Sequence, residues 1–186
     1  MPNPDNPVSR SVKEKIAWAE TCYEEKGGLF LGDERCVILL SRLKEAVRAS
    51  RTAMAVTGIA DECKRCEERE GGSCCGAGLE NKYDGTLLLI NLLLGIQIPK
   101  QRSDPSSCLF LGSEGCLLIA RQVICVNYLC KKLEHHIDPL KIAVLREKEG
   151  IELECLFLLH EWIKKEFRTY GLGYTGKNPS NHRRLL

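Results

Sequence analysis

At 186 residues the chain is long enough to bury a true hydrophobic core, which excludes a miniprotein that folds only through disulfides. Its 27 basic and 25 acidic side chains leave a formal charge of +2, which excludes a global field announcing nucleic acid, a membrane surface or an acidic substrate. The 11 cysteines are odd in number, and the Pro-rich start has no basic stretch followed by an apolar one, so a reducing compartment and a cytoplasmic location are expected. The longest apolar run, Leu87 to Ile98, is interrupted by Asn91, Gly95 and Gln97 and falls short of the ~20 residues that span a bilayer, so no membrane span is expected.

Residues 1–10 read as a flexible lead-in, and 11–58 as a pair of N-terminal helices. Ser11-Val12-Lys13-Glu14 is a capping-box pattern, after which Val12, Ile16, Ala19 and Tyr23 recur at helical spacing until Gly27-Gly28, where a stop is expected. Asp33 is a candidate N-cap for a second helix with Cys36, Leu40, Leu43, Val47 and Met54 on one stripe, ending near Thr57-Gly58. Cys22 and Cys36 read as core thiols.

Residues 59–133 hold eight of the 11 cysteines: Cys63, Cys66, Cys74, Cys75, Cys108, Cys116, Cys125 and Cys130. The spacing Cys63-x2-Cys66 suggests a tight turn on which two thiolates share one metal, with backbone N–H groups offsetting their charge. Gly71-Gly72-Ser73 then leads to the adjacent pair Cys74-Cys75. Thr86 to Gly95 is leucine-rich, which predicts a buried helix, ended by Pro99 and followed by a polar loop with its turn at Asp104-Pro105. Gly112 and Gly115 flank Ser113-Glu114, a tight connection that brings Cys108 and Cys116 together. Leu117 to Lys132 is expected to be helical in its second half, carrying Cys125 and Cys130.

In residues 134–170, Asp138 precedes a proline at the first helical position and starts C-terminal helices through Ile142, Leu145 and Lys148. Gly150 is expected to break or kink them, and Ile151, Cys155, Leu158, Leu159, Trp162 and Ile163 form the next apolar face, with Cys155 as core. Residues 171–186 read as a disordered or docking tail. Its Gly171-Leu-Gly173-Tyr-Thr-Gly176-Lys177 has the glycines of a phosphate loop, but a helix precedes it and Asn178-Pro179 follows, so a glycine-rich helix exit is the simpler reading. His135-His136 read as surface residues. Lys164, Lys165, Arg168, Lys177, Arg183 and Arg184 lack interleaved aromatics, and no nucleic acid is indicated. No catalytic constellation can be assembled, which leaves enzyme activity open.

The expected fold is all-α, a single small helical domain organised around a cysteine-ligated metal or iron–sulfur centre. Thiolate-only ligation suits zinc or an iron–sulfur cluster and disfavours magnesium, calcium or manganese. The preferred cofactor is a [4Fe-4S] cluster, with zinc as the alternative. Eight cysteines exceed the four that either needs, so there are two sites or some thiols pack instead. Adjacent Cys74 and Cys75 project in different directions; one ligates while the other packs, or they serve different sites. Lys64, Arg65, Arg69, Lys131 and Lys132 are candidates to offset the charge of the centre.

The residues Cys63-x2-Cys66, Cys74-Cys75, Cys108-Leu-Phe-Leu, Glu114-Gly115-Cys116 and Arg121-x3-Cys125-x4-Cys130 resemble the YkgJ-type cysteine-cluster family, a putative zinc- or iron-chelating domain. The resemblance covers Cys63 to Cys130. That family's ending looks like Arg-Pro-x-x-Cys-Arg-x-x-Pro, where this chain has Gln122, Val126 and Leu129 at the two prolines and the second arginine, in the order Pro, Arg, Pro. The resemblance implies a bound metal or iron–sulfur centre and no particular reaction. The expected function is a cytosolic metal-binding protein with a redox or accessory role to a partner enzyme, hence with a protein partner. The alternatives are a zinc-stabilised interaction scaffold and an enzyme with an open cluster iron.

Overall fold

The computed structural model describes residues 11–69 and 74–169; the lead-in, Gly71-Gly72-Ser73 and the tail with its glycine motif lie outside the described residues, as do the side chains of His135 and His136. The architecture is helical, with one two-residue-stranded hairpin. In chain order it comprises α1 (Val12–Gly32), α2 (Glu34–Thr57), α3 (Ile59–Arg69), a 3-10 turn (Leu79–Lys82), α4 (Gly85–Leu93), β1 (Leu111–Gly112), β2 (Gly115–Cys116), α5 (Val123–Asn127), α6 (Lys131–His136) and α7 (Pro139–Thr169).

The capping box at α1 forms as its residues dictate: the Ser11 hydroxyl accepts from the Glu14 N–H at 3.3 Å, and the Ser11 N–H donates to the Glu14 carboxylate at 2.8 Å. The helix does not stop at Gly27-Gly28. It runs on to Gly32, because Phe30 seats against Trp162 and Phe167 at ring separations of 6.0 and 5.7 Å, and that burial offsets a helical-glycine cost of about 1 kcal/mol each. Asp33 then closes one helix and opens the next. Its N–H donates to the Phe30 carbonyl at 3.2 Å and its carboxylate accepts from the Cys36 N–H at 2.9 Å. Left-handed Gly58, with φ of 77°, ends α2.

The buried helix predicted near Thr86 is α4, with Thr86 to Asn91 and Leu93 all buried. Asp84 caps it, accepting from the Leu87 N–H at 2.7 Å. Gly95, and not Pro99, ends it: with φ of 84° it donates to Leu92, while the Ile96 N–H reaches the Asn91 carbonyl at 2.9 Å in a Schellman arrangement. α1 packs on α4 so closely that a Cβ at Gly85 would lie 2.3 Å from the Trp18 indole.

α7 is one continuous helix through Gly150, whose expected break does not occur. Its buried face is Leu145, Glu149, Glu152, Leu156, Leu159 and Ile163, with Cys155 beside it, whereas Ile151 and Leu158 face solvent. The two glutamates hide this face from an apolar pattern. Glu152 is paired to Arg121 at 3.1 Å and Glu149 to Arg146 at 2.7 Å, so their burial is partnered. α2 packs along α7. The main core unites α1, α2, α4, α7 and the segment 108–120. A second, smaller cluster of Ile59, Leu133 and Leu145 lies where α2, α3, α6 and α7 meet.

Candidate metal centre

Cys63 and Cys66 stand on a helix and not on the tight turn expected. From Ile59 to Arg69 there is neither glycine nor proline, and Asp61 and Glu62 complement the N-terminal end of the helix dipole. Cys63 and Cys66 follow Ile59 by four and seven residues and share its face, so the thiols remain neighbours one turn apart. That face is anchored. Ile59 is only 2% exposed and packs on Leu133 and Leu145, with Leu129 and Cys130 partly buried alongside.

Leu117 to Lys132 is less helical than expected. It carries no helix up to Gln122, forms the short α5, and leaves the helical conformation at Tyr128, so that Cys130 becomes the N-cap of α6. Cys130 therefore arrives opposite α3. The Cys63 thiol lies within electrostatic reach of Cys74, Cys130 and Cys66, and burial followed by these neighbours pushes its pKa up. The exposed Tyr128 hydroxyl hydrogen-bonds Cys74.

A different set of segments brings up the remaining cysteines. The Cys108 N–H donates to the Cys75 carbonyl at 2.6 Å, and Gly76 bridges Ser107, so the two stretches run antiparallel side by side. Leu111 pairs with Cys116 across the hairpin, whose Gly115 has φ of 107°. The expected approach of Cys108 and Cys116 is built in this way. Tyr83, 1% exposed, packs edge-on against Phe110 at 4.9 Å and points its hydroxyl at Cys125, to which it donates. Burial and then the thiols of Cys125, Cys116 and Cys108 push Cys75 up to about 12. Cys108 rises to about 11, chiefly by burial. Buried thiols crowded by other thiols resist ionising without a cation to take up the charge.

Polar anchors fix these segments. Asn91, fully buried, donates to the Leu87 and Ala120 carbonyls at 2.9 Å and accepts from the Ile119 and Ala120 N–H groups at 2.9 and 3.0 Å. Glu80, 1% exposed, is bound by Arg102, which also donates to the Ser107 carbonyl beside Cys108. Burial would raise the Glu80 pKa, but Arg102 and backbone N–H donors hold it below its ordinary value. Arg121, 8% exposed, meets Glu152 and favours the thiolate of Cys125. Arg51 donates to the Leu118 carbonyl and lies within electrostatic reach of Cys116.

Among the described residues, cations within electrostatic reach of Cys108, Cys116 and Cys125 include Arg102, Arg51 and Arg121 respectively. Of the five nominated from sequence, Lys64 stands 4.0 Å from Glu114 at the hairpin tip and Arg65 is paired with Glu62. Lys131 is exposed, and the side chains of Arg69 and Lys132 lie outside the described residues. Arg121 was within the quoted motif, whereas Arg51 carries no local signal because it sits on α2, far from the cysteines in sequence.

None of the 11 cysteines is disulfide-bonded. Cys36 and Cys155 are buried in the main core and Cys22 packs against it, as read from their helical stripes. Among the described residues no three Cys, His, Asp or Glu side chains converge closely enough to hold one ion. What the fold supplies is proximity and donor type: sulfurs from separate segments, with tyrosine hydroxyls and guanidinium groups next to them. No helix among the described residues is long and apolar enough to cross a membrane. No family model matches the chain, and no curated protein or solved structure matches it either. The likeness to YkgJ-type domains therefore rests on the quoted motifs alone.

Proposed function

We propose that this protein binds metal through the cysteines between Cys63 and Cys130, that the cofactor is an iron–sulfur cluster of the [4Fe-4S] type, and that it serves a redox or accessory role to a partner enzyme in the cytoplasm. Membership of the YkgJ-type family is part of the same proposal. One observation carries it, namely the sorting of the thiols. Cys108 is buried in the same core as Cys36 and Cys155, and Cys75, Cys116 and Cys125 pack against it as Cys22 does, so what sets the other eight of the 11 apart is that they are drawn from separate segments into electrostatic reach of one another. Packing alone gives no reason to gather thiols that raise one another's pKa. A soft cation that accepts thiolates does. The donor chemistry fits zinc or iron–sulfur and not a hard cation. Arg51, Arg121 and the Tyr83 hydroxyl would stabilise the negative charge of a thiolate-bound centre, which is how a protein tunes such a group.

Metal and sulfide analysis on anaerobically purified protein, with a visible spectrum and electron paramagnetic resonance after dithionite, tests the reading. Iron, acid-labile sulfide and a brown colour are expected. A colourless, resonance-silent protein with stoichiometric zinc would replace it with the zinc-stabilised interaction scaffold, and a metal-free protein would end both. Cys63→Ser and Cys66→Ser are expected to lower metal content sharply, since each removes a thiolate.

A further inference from the structure

We propose that the groove between α2 and α7 docks an acidic amphipathic helix of a partner protein. The inference goes beyond the cofactor reading above and stands whether or not the cysteines hold metal.

The groove follows from how the two helices run. They lie antiparallel: Phe30, just before α2, meets Trp162 near the end of α7, and Ile59, just after α2, packs on Leu145 near the start of α7. Two long helices side by side leave a furrow on the face turned away from the core, and small side chains widen it. Here Ala49 and Ala53 line the α2 side, with Val56, Leu140 and Val144 standing around an open groove of about 670 Å³. Val56, Leu140 and Val144 are each more than half exposed, an apolar patch that nothing among the described residues covers. Ile151 and Leu158, also exposed, follow Val144 by seven and fourteen residues, so the apolar track continues along the same side of α7.

Charge selects the occupant. The lining carries Arg48, Lys141 and Lys148 against one carboxylate, Glu45. Glu147 meets Lys148 at 2.8 Å, and with it counted the rim stays basic. The chain as a whole is near balance, so this is a local field that draws acidic side chains and repels basic ones. Glu154 stands beside Ile151 and Leu158, which places the carboxylates of the occupant at the other end, over Arg48 and Lys141. A second copy of this chain does not suit, because a two-fold contact on this face sets the basic patch against itself. The terminal segments of the chain do not suit either: residues 170–186 carry Lys177, Arg183 and Arg184 and no acidic side chain, and residues 1–10 hold three prolines, which disfavour a helix. A membrane takes up a protruding apolar face and not a furrow between two helices. A helix laid with its apolar side chains in the furrow and its carboxylates on the basic rim meets both the shape and the charge.

Fluorescence polarisation with two labelled helical peptides tests this. Both have leucines at i, i+3, i+4 and i+7; one carries glutamates on its flanks, and the other has lysine in place of every glutamate. Saturable binding of the acidic peptide to the full chain is expected, with the lysine peptide weaker by roughly tenfold or more. Val144→Glu and Val56→Glu are each expected to weaken the acidic peptide by roughly tenfold, and joint Lys141→Glu and Lys148→Glu to reverse the preference between the two peptides. Val56 and Val144 are exposed, so their variants stay folded, which far-ultraviolet circular dichroism checks. Leu29→Glu, at an exposed apolar residue of α1 outside the groove, is expected to change nothing. No saturable binding, equal binding of the two peptides, or binding that both valine variants leave unchanged overturns the groove. A dimer in sedimentation that Val144→Glu dissolves, or anionic vesicles bound by the parent and not by Val144→Glu, overturns it in favour of a second copy or a membrane. Binding of the acidic peptide by a protein that proves metal-free sinks the cofactor reading and leaves the groove standing.

Discussion

Asn91 holds the segment that leads to Cys125 by giving each of its polar atoms two backbone partners, in a position with no access to water. Asn91→Leu keeps the branched outline of the side chain and strands the N–H groups of Ile119 and Ala120 and the Ala120 carbonyl. At about 1–3 kcal/mol per stranded group the expected loss is on the order of 3 kcal/mol or more, read as a lower urea midpoint. A change below about 1 kcal/mol would show that the segment is held by other means. His160 and Asp84 make a second specific claim. Nε2 of His160 lies 3.0 Å from the Asp84 carboxylate, with Glu161 and Lys164 flanking it on α7. Burial by itself would lower the imidazole and raise the carboxyl, but their mutual bond reverses both, leaving His160 above its ordinary 6.5 and Asp84 below its ordinary 3.8. The raised imidazole contributes stability below pH 6.5 that is lost as pH rises through its folded value. The lowered carboxyl contributes above pH 3.8 and loses it as pH falls through its own. His160→Gln is therefore expected to cost about 1 kcal/mol near pH 5 and less near pH 8, read from melting curves of both proteins. A cost that does not vary between those pH values would contradict the pairing.

Two glycines at the scale of the element respond in opposite directions. Gly150 lies in the exposed interior of α7 with open space around a would-be Cβ, so Gly150→Ala is expected to stabilise by about 0.5–1 kcal/mol. Gly85 opens α4 against the Trp18 ring, and Gly85→Ala is expected to destabilise by about 1–3 kcal/mol by forcing the indole away. Thermal unfolding of both variants decides the matter, and a stabilised Gly85→Ala would show that α1 and α4 are less closely seated. Most helices were legible because caps and period are local: Ser11, Asp33 and Asp138 each mark a real start. Endings and faces were less so. Gly27-Gly28 and Gly150 are local stop signals overruled by packing that comes from distant residues, Trp162 and Phe167 in one case and α2 in the other. The α7 face was misplaced because two of its buried residues are glutamates, and the partner of Glu152 is Arg121, on a distant segment that spacing cannot pair with it.

For the whole molecule, the sequence exposed Cys22, Cys36 and Cys155 as residues of the main core, since they fall on amphipathic stripes. It did not expose that Cys108 also enters that core, or that Cys74 is exposed while its neighbour Cys75 packs against the core, because neither lies on a helical stripe. The hydrophobic interior itself is divided in two. The cluster of Ile59, Leu133 and Leu145 has three fully buried members, far fewer than the main core around α4, yet both are strung along the same pair of long helices, α2 and α7. Such a molecule need not open all at once. Amide hydrogen exchange should resolve two cooperative units, a slow one in α1, α4 and the second half of α7, and a faster one in α3, α6 and the first turns of α7. A metal on the Cys63 side would slow the second unit alone, so the helices nearest the solvent-facing thiols would tighten on loading while the middle of the protein keeps its pace.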